Sequence, residues 1–364
     1  MGDAPAAGSP RPDQPFGPVR LAELVGGGGP VPSGIGSLPG TDPAEAARVV
    51  AGELSQLPHV AELPERGPGA DVVGRTAARL VDLHVDRTPS GWRLTGRPGA
   101  DERRAVRWLA DDIEATAEAL AGRSGPVTLA LCGPWTLAAS LARPRGGPVL
   151  ADQGALRDLT DSLVETVAQV AHDLARVVAG PLIVQLDEPS LPSVLAGRVP
   201  TESGLGRLAA VDAAQARDTL SHVAQGARTV AAAVVVHCCA ADPPVRLMGE
   251  AGADAVSVDV TRLVRDGAPA DGRVVDEIAE AVEAGRSLWA GAVPTGGPYD
   301  ARQAAETVRT LWSVLGLAPA RLAQVVVTPT CGLAGRGWPA ARAAYRAVRE
   351  TAGRLGESAG REGP

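Results

Sequence analysis

Short apolar runs rich in β-branched residues, each followed by a stretch of helical period, recur along this chain and limit its folds more than any other feature. Val127 to Leu131, Leu182 to Leu186, residues 233–237, Ala255 to Val258, Leu288 to Val293 and residues 325–328 are apolar almost throughout. Runs without polar alternation belong to strands covered on both faces, as in a parallel sheet packed between helices. Helices are expected near 153–178, 211–229, 243–251, 273–284, 301–316 and 338–355. Upstream, Ala100 to Ala121 carries Val106, Leu109, Ile113, Ala117 and Leu120 at helical spacing. Thr41 or Asp42 caps a further helix to about Leu54, with Pro43 at its first position. A strand over Gly34–Pro39 and a weaker one near 81–85 bring the strands to eight. Alternation with that count argues for a single (β/α)8 TIM barrel of the α/β class, with an open doubly wound sheet as the alternative.

Residues 1–33, rich in Pro, Gly and Ala, read as a disordered leader; 34–358 would form the barrel and 359–364 a tail. Residues 57–75 read as irregular, because Pro58, Pro64, Gly67, Pro68 and Gly69 break any period. Beyond them, a Pro89-Ser90-Gly91 turn joins strand pieces at Val81 to Val85 and Trp92 to Leu94. Hydrophobic residues make up 45% but aromatics only 2%, so Ala, Val and Leu must fill the core. A net charge of −7 argues against a nucleic-acid or anionic-membrane surface. No apolar run reaches the ~18–20 residues a membrane helix needs. Four cysteines in 364 residues do not make a disulfide framework, and free thiols suit a cytoplasmic location.

The most informative strand ends in His237-Cys238-Cys239. At strand period His237 and Cys239 point the same way and Cys238 the other. Another thiol, Cys331, follows the run 325–328. Imidazole and thiolates are preferred ligands of Zn²⁺, and a catalytic zinc keeps one position open. A lone buried cysteine is more often packing; three soft ligands at strand ends favour a metal. Cys132 and Cys238 are assigned to packing, and His59, His84, His172 and His222 to structural roles. No glycine-rich phosphate-binding pattern follows a strand.

Four separated segments together resemble the catalytic barrel of cobalamin-independent methionine synthase and its short single-barrel relatives. They are Ile35-Gly36-Ser37, Gln185-Leu186-Asp187-Glu188-Pro189, His237-Cys238-Cys239 and Cys331 through Pro339. The resemblance implies zinc-dependent methyl transfer to the thiol of homocysteine, giving methionine. His237, Cys239 and Cys331 would be zinc ligands, and Asp259 stands where the family has a glutamate ligand. Asp187 would hold the homocysteine amine, and Ile35 and Ser37 its carboxylate. Glu65, in Glu65-Arg66, would be a second acid, with Glu62 competing; Glu188 is the alternative for either acidic role, and Trp338 would wall the pocket. The stretch Trp289 to Pro294 lacks the histidine that relatives carry after the seventh strand. Such a histidine would protonate a leaving folate, so the donor is methyltetrahydrofolate or a methylcorrinoid, free or held on a protein. Rival readings are another zinc thiol-alkyltransferase and a non-catalytic homocysteine- or zinc-binding barrel.

Overall fold

The computed structural model describes Leu24 and residues 28–265, 268–270 and 272–359. The rest of the leader up to Gly27, and the tail from Gly360, lie outside the described residues. Seven strands form one parallel sheet: β1 (Val31–Pro32), β2 (Val127–Cys132), β3 (Leu182–Asp187), β4 (Ala233–Cys238), β5 (Ala255–Asp259), β6 (Ser287–Val293) and β7 (Val325–Pro329). Their spatial order is β1-β7-β6-β5-β4-β3-β2. From β2 to β4 every residue is buried, as apolar runs without alternation require.

The sheet is curled, and the burial pattern records which way. Val234 and Val236 join the large core beneath the helices, whereas Ala233 and Val235 join a second, inner cluster. That inner cluster contains Val31, Ile183, Ala255, Trp289 and Val326, so the inner faces of six strands meet across the curl. Strand parity then sends His237 inward with Val235, and Cys238 outward.

Two expectations change here. The strand near 81–85 does not enter the sheet. His84–Thr88 instead pairs antiparallel with Gly91–Thr95, which borders Leu141–Ala142. Its alternation explains this: Val85, Trp92 and Leu94 are buried while their neighbours stay partly exposed, the mark of a one-sided hairpin. Second, part of the stretch read as irregular lies between the sheet's two edges. Val60 N donates to Thr128 O at 2.9 Å and Thr128 N to Pro58 O at 2.9 Å, on the β2 side. Glu62 N donates to Gly36 O at 3.1 Å and Leu38 N to Glu62 O at 2.8 Å, just beyond β1. The first strand itself starts at Val31, earlier than Gly34.

Four of the covering helices begin where aspartates supply caps. Asp42, Asp152, Asp212 and Asp300 each accept two backbone N–H groups, opening helices Pro43–Glu53, Gln153–Ala175, Ala213–Arg228 and Ala301–Leu315. No described helix is long and apolar enough to cross a membrane.

Candidate metal and substrate site

At the C-terminal edge of the sheet, adjacent strands put polar residues side by side. Asp187 pairs in register with His237, and His237 with Ser257. In parallel sheets this edge faces the loops where ligands bind. One ring nitrogen of His237 and the sulfurs of Cys239 and Cys331 lie within 4.8 Å of one another. The two sulfurs are 3.4 Å apart. Tetrahedral Zn–S bonds of ~2.3 Å would set sulfurs about 3.8 Å apart, so small adjustments bring both onto one ion. His237 Nδ1 lies 2.9 Å from the Ser257 hydroxyl, while Nε2 is buried without a hydrogen-bond partner among the described residues. Anchoring one imidazole nitrogen and leaving the other bare is how proteins present a histidine ligand. The N, S, S donor set therefore fits zinc.

The electrostatics agree. The Cys239 thiol, and after it the His237 ring, hold the Cys331 thiol down to about 4. The same sulfur–sulfur contact, with burial, pushes the Cys239 thiol up. Burial opposes a charged His237, yet the neighbouring Cys331 and Asp187 raise its pKa above the ordinary value.

A cavity of about 130 Å³ opens beside this cluster. It is lined by Ile35, Ser37, Glu62, Asp187, Cys239 and Gly332, among others. Asp187 is buried, and burial pushes its carboxyl up to about 6 against the pull of His237 and the Gln185 amide. Gln185 Nε2 donates to Asp187 Oδ1 at 2.8 Å and to the Ile35 carbonyl at 2.8 Å. Glu62 lines the same cavity, its carboxyl pushed up to about 8 by burial although the Arg75 guanidinium lies 4.0 Å away.

Gly332 abuts Ser37: a Cβ there would come within 1.9 Å of the Ser37 hydroxyl oxygen. The backbone closes the same contact, with Leu333 N donating to Ser37 O at 2.8 Å. The loop carrying Cys331 is thereby docked on the turn carrying Ser37.

Other expected site residues lie elsewhere. Glu65 is exposed on the turn Pro64–Arg66, and Glu62 takes the cavity position, because the segment 58–62 is what reaches the sheet. Glu188 is fully buried and accepts from Trp135 N (2.8 Å), Thr136 N (2.8 Å) and the Thr136 hydroxyl (2.7 Å), fixing the first turn of Pro134–Ser140. Trp338 opens the last helix and faces Gly40, not the cavity. Asp259 is outside the three-residue cluster; its carboxylate accepts from Thr261 N and Oγ1 and from Arg262 Nε, at 3.0, 2.6 and 2.9 Å. Cys132 and Cys238 are buried, and His59 is bonded to the Tyr345 hydroxyl at 2.8 Å. Sequence reasoning missed Ser257, since a serine inside an apolar strand carries no motif signal.

The family model described as cobalamin-independent synthase, catalytic domain, matches residues 31–354. Among solved structures, a B12-independent methionine synthase from Shewanella sp. W3-18-1, in complex with selenomethionine, is similar at 12% identity and TM-score 0.58. The match covers 89% of this chain and 97% of that one. A methyltransferase from Methanosarcina mazei is similar at 16% identity and TM-score 0.53, covering 91% of this chain and 97% of that one. At these identities the likeness to both structures is one of fold. No curated protein matches the chain.

Proposed function

The chain belongs to the family of cobalamin-independent synthase catalytic domains, and on that premise we propose that it is a zinc-dependent S-methyltransferase converting homocysteine to methionine. The observation carrying the reading is the convergence of His237, Cys239 and Cys331 beside a cavity with two buried carboxylates. We read the curled sheet as a (β/α)8 barrel whose eighth place is filled by residues 58–62, and the protein as cytoplasmic.

His237, Cys239 and Cys331 would hold Zn²⁺, leaving a position for substrate; Asp259 would join only by giving up its Thr261 and Arg262 bonds. Zinc bound there supplies Lewis acidity that keeps a substrate thiol deprotonated yet nucleophilic near neutral pH. The protein's own groups do the positioning. Asp187 and Glu62 accept charge-assisted bonds from the homocysteine ammonium, and Ser37 with the backbone at Ile35 receives its carboxylate. Holding both ends fixes where the sulfur sits, converting an encounter into an oriented attack. The new bond forms between sulfur and the methyl carbon as the donor's bond to that carbon breaks.

The donor is methyltetrahydrofolate or a methylcorrinoid. A folate nitrogen must be protonated as it leaves, whereas a corrinoid leaving group needs no acid, and Trp289 to Pro294 offers no histidine for the task. The test supplies zinc-loaded protein with homocysteine and each donor in turn, with methionine measured by mass spectrometry. Methionine from either donor is expected; none from both, with no homocysteine bound, refutes the reading.

A further inference from the structure

The two groups assigned to the two ends of the substrate are joined by a single side chain. Gln185 lies on β3 two residues before Asp187, fully buried on the same inward face. Its amide nitrogen donates both hydrogens: one to Asp187 Oδ1 and one to the Ile35 carbonyl, each at 2.8 Å. Both partners are acceptors, so the orientation of the amide is fixed by chemistry, with Nε2 on this side. Its Oε1 is left buried with no partner among the described residues, an arrangement that costs free energy and is not what packing alone would select.

We propose that Gln185 is a positioning residue that sets the spacing between the Asp187 carboxylate and the Ile35–Ser37 turn, and thereby selects thiols bearing an α-amino acid head. The inference rests on the homocysteine reading above. Ile35 comes from the chain before the helix Pro43–Glu53 and Asp187 from β3, and they share no other hydrogen bond among those described. Without the clamp each group moves independently. A ligand gripping both ends then loses affinity, while one gripping a single end can re-seat on it.

The test compares homocysteine with 4-mercaptobutyrate, which keeps the thiol and the carboxylate but has no amine. Both are titrated calorimetrically into zinc-loaded wild-type protein and Gln185→Met, a variant of similar length without donors. The expected result is a loss of about tenfold or more for homocysteine, the worth of a hydrogen bond to a charged group. The loss for 4-mercaptobutyrate should stay within about threefold. Equal losses for the two thiols would mean Gln185 is only structural, and unchanged affinities would mean it positions nothing; either overturns the proposal. Should Gln185→Met not fold, Gln185→Glu keeps the chain length, cannot donate to both acceptors, and is judged by the same ratio. Wild-type protein that binds neither thiol would instead remove the homocysteine reading itself.

Discussion

Glu62 makes the pH dependence of amino-acid binding a sharp test of the cavity. Its carboxyl is buried and pushed up to about 8, with burial the dominant cause and Arg75 opposing it. Only the ionised form gives an ammonium a charge-assisted bond. A group with pKa near 8 is ionised in about 3% of molecules at pH 6.5 and about half at pH 8, so affinity should rise with pH, by up to about 16-fold across that interval. Asp187, at about 6, is largely ionised over this range and adds little. Methionine is the better ligand for the measurement, because it has the ammonium and the carboxylate but no thiol to titrate. Calorimetry at pH 6.5, 7.25 and 8 on wild type and Glu62→Gln separates the contributions. Wild type should tighten with pH, and Glu62→Gln should bind weakly with a flat profile. A flat wild-type profile, or the same slope in both proteins, would refute the assignment of Glu62 to the ammonium. The sign for folding is opposite: the raised pKa makes Glu62's contribution to stability complete below about 4.5 and lost as pH rises through about 8.

Two further outcomes follow from the geometry. Ser257→Ala removes the anchor of His237 Nδ1 and should weaken zinc about 10–100-fold in chelator competition without changing the fold by circular dichroism; undiminished affinity would exclude Ser257 as the orienting partner. Gly332→Ala puts a methyl group where the Ser37 hydroxyl lies, so KM for homocysteine should rise about tenfold with zinc content unchanged, and an unaltered KM would mean Ser37 does not hold the substrate.

The parts legible in the sequence are those where local pattern and tertiary role coincide. The buried strands announce themselves because both faces are covered, and the inward aim of His237 and Cys239 follows from the period of two. Residues 58–62 gave no such signal. They reach the sheet through four backbone hydrogen bonds, two with Thr128 and one each with Gly36 and Leu38, and Pro58 and Pro64 leave no apolar run of strand length between them. That is also why Glu65, in the more conspicuous Glu-Arg pair, drew the second acidic role, whereas the acid lining the cavity is Glu62. The apolar residues at 81–85 suggest a strand of the main sheet, but the alternation over 84–95 belongs to a one-sided hairpin. Glu188 sits beside Asp187 in sequence, yet successive strand residues face opposite sides, and three donors on Trp135 and Thr136 hold it outside the cavity. Asp259 stands at the right strand end, but its short side chain caps its own next turn.

In the proposed site, residues from two distant strand ends hold one metal ion. Elemental analysis of purified protein beside Cys331→Ser, both expressed with ample zinc, shows whether they do. One zinc per chain is expected in the wild type and its loss in Cys331→Ser, with folding intact. No zinc in the wild type, or a full complement in the variant, would contradict it.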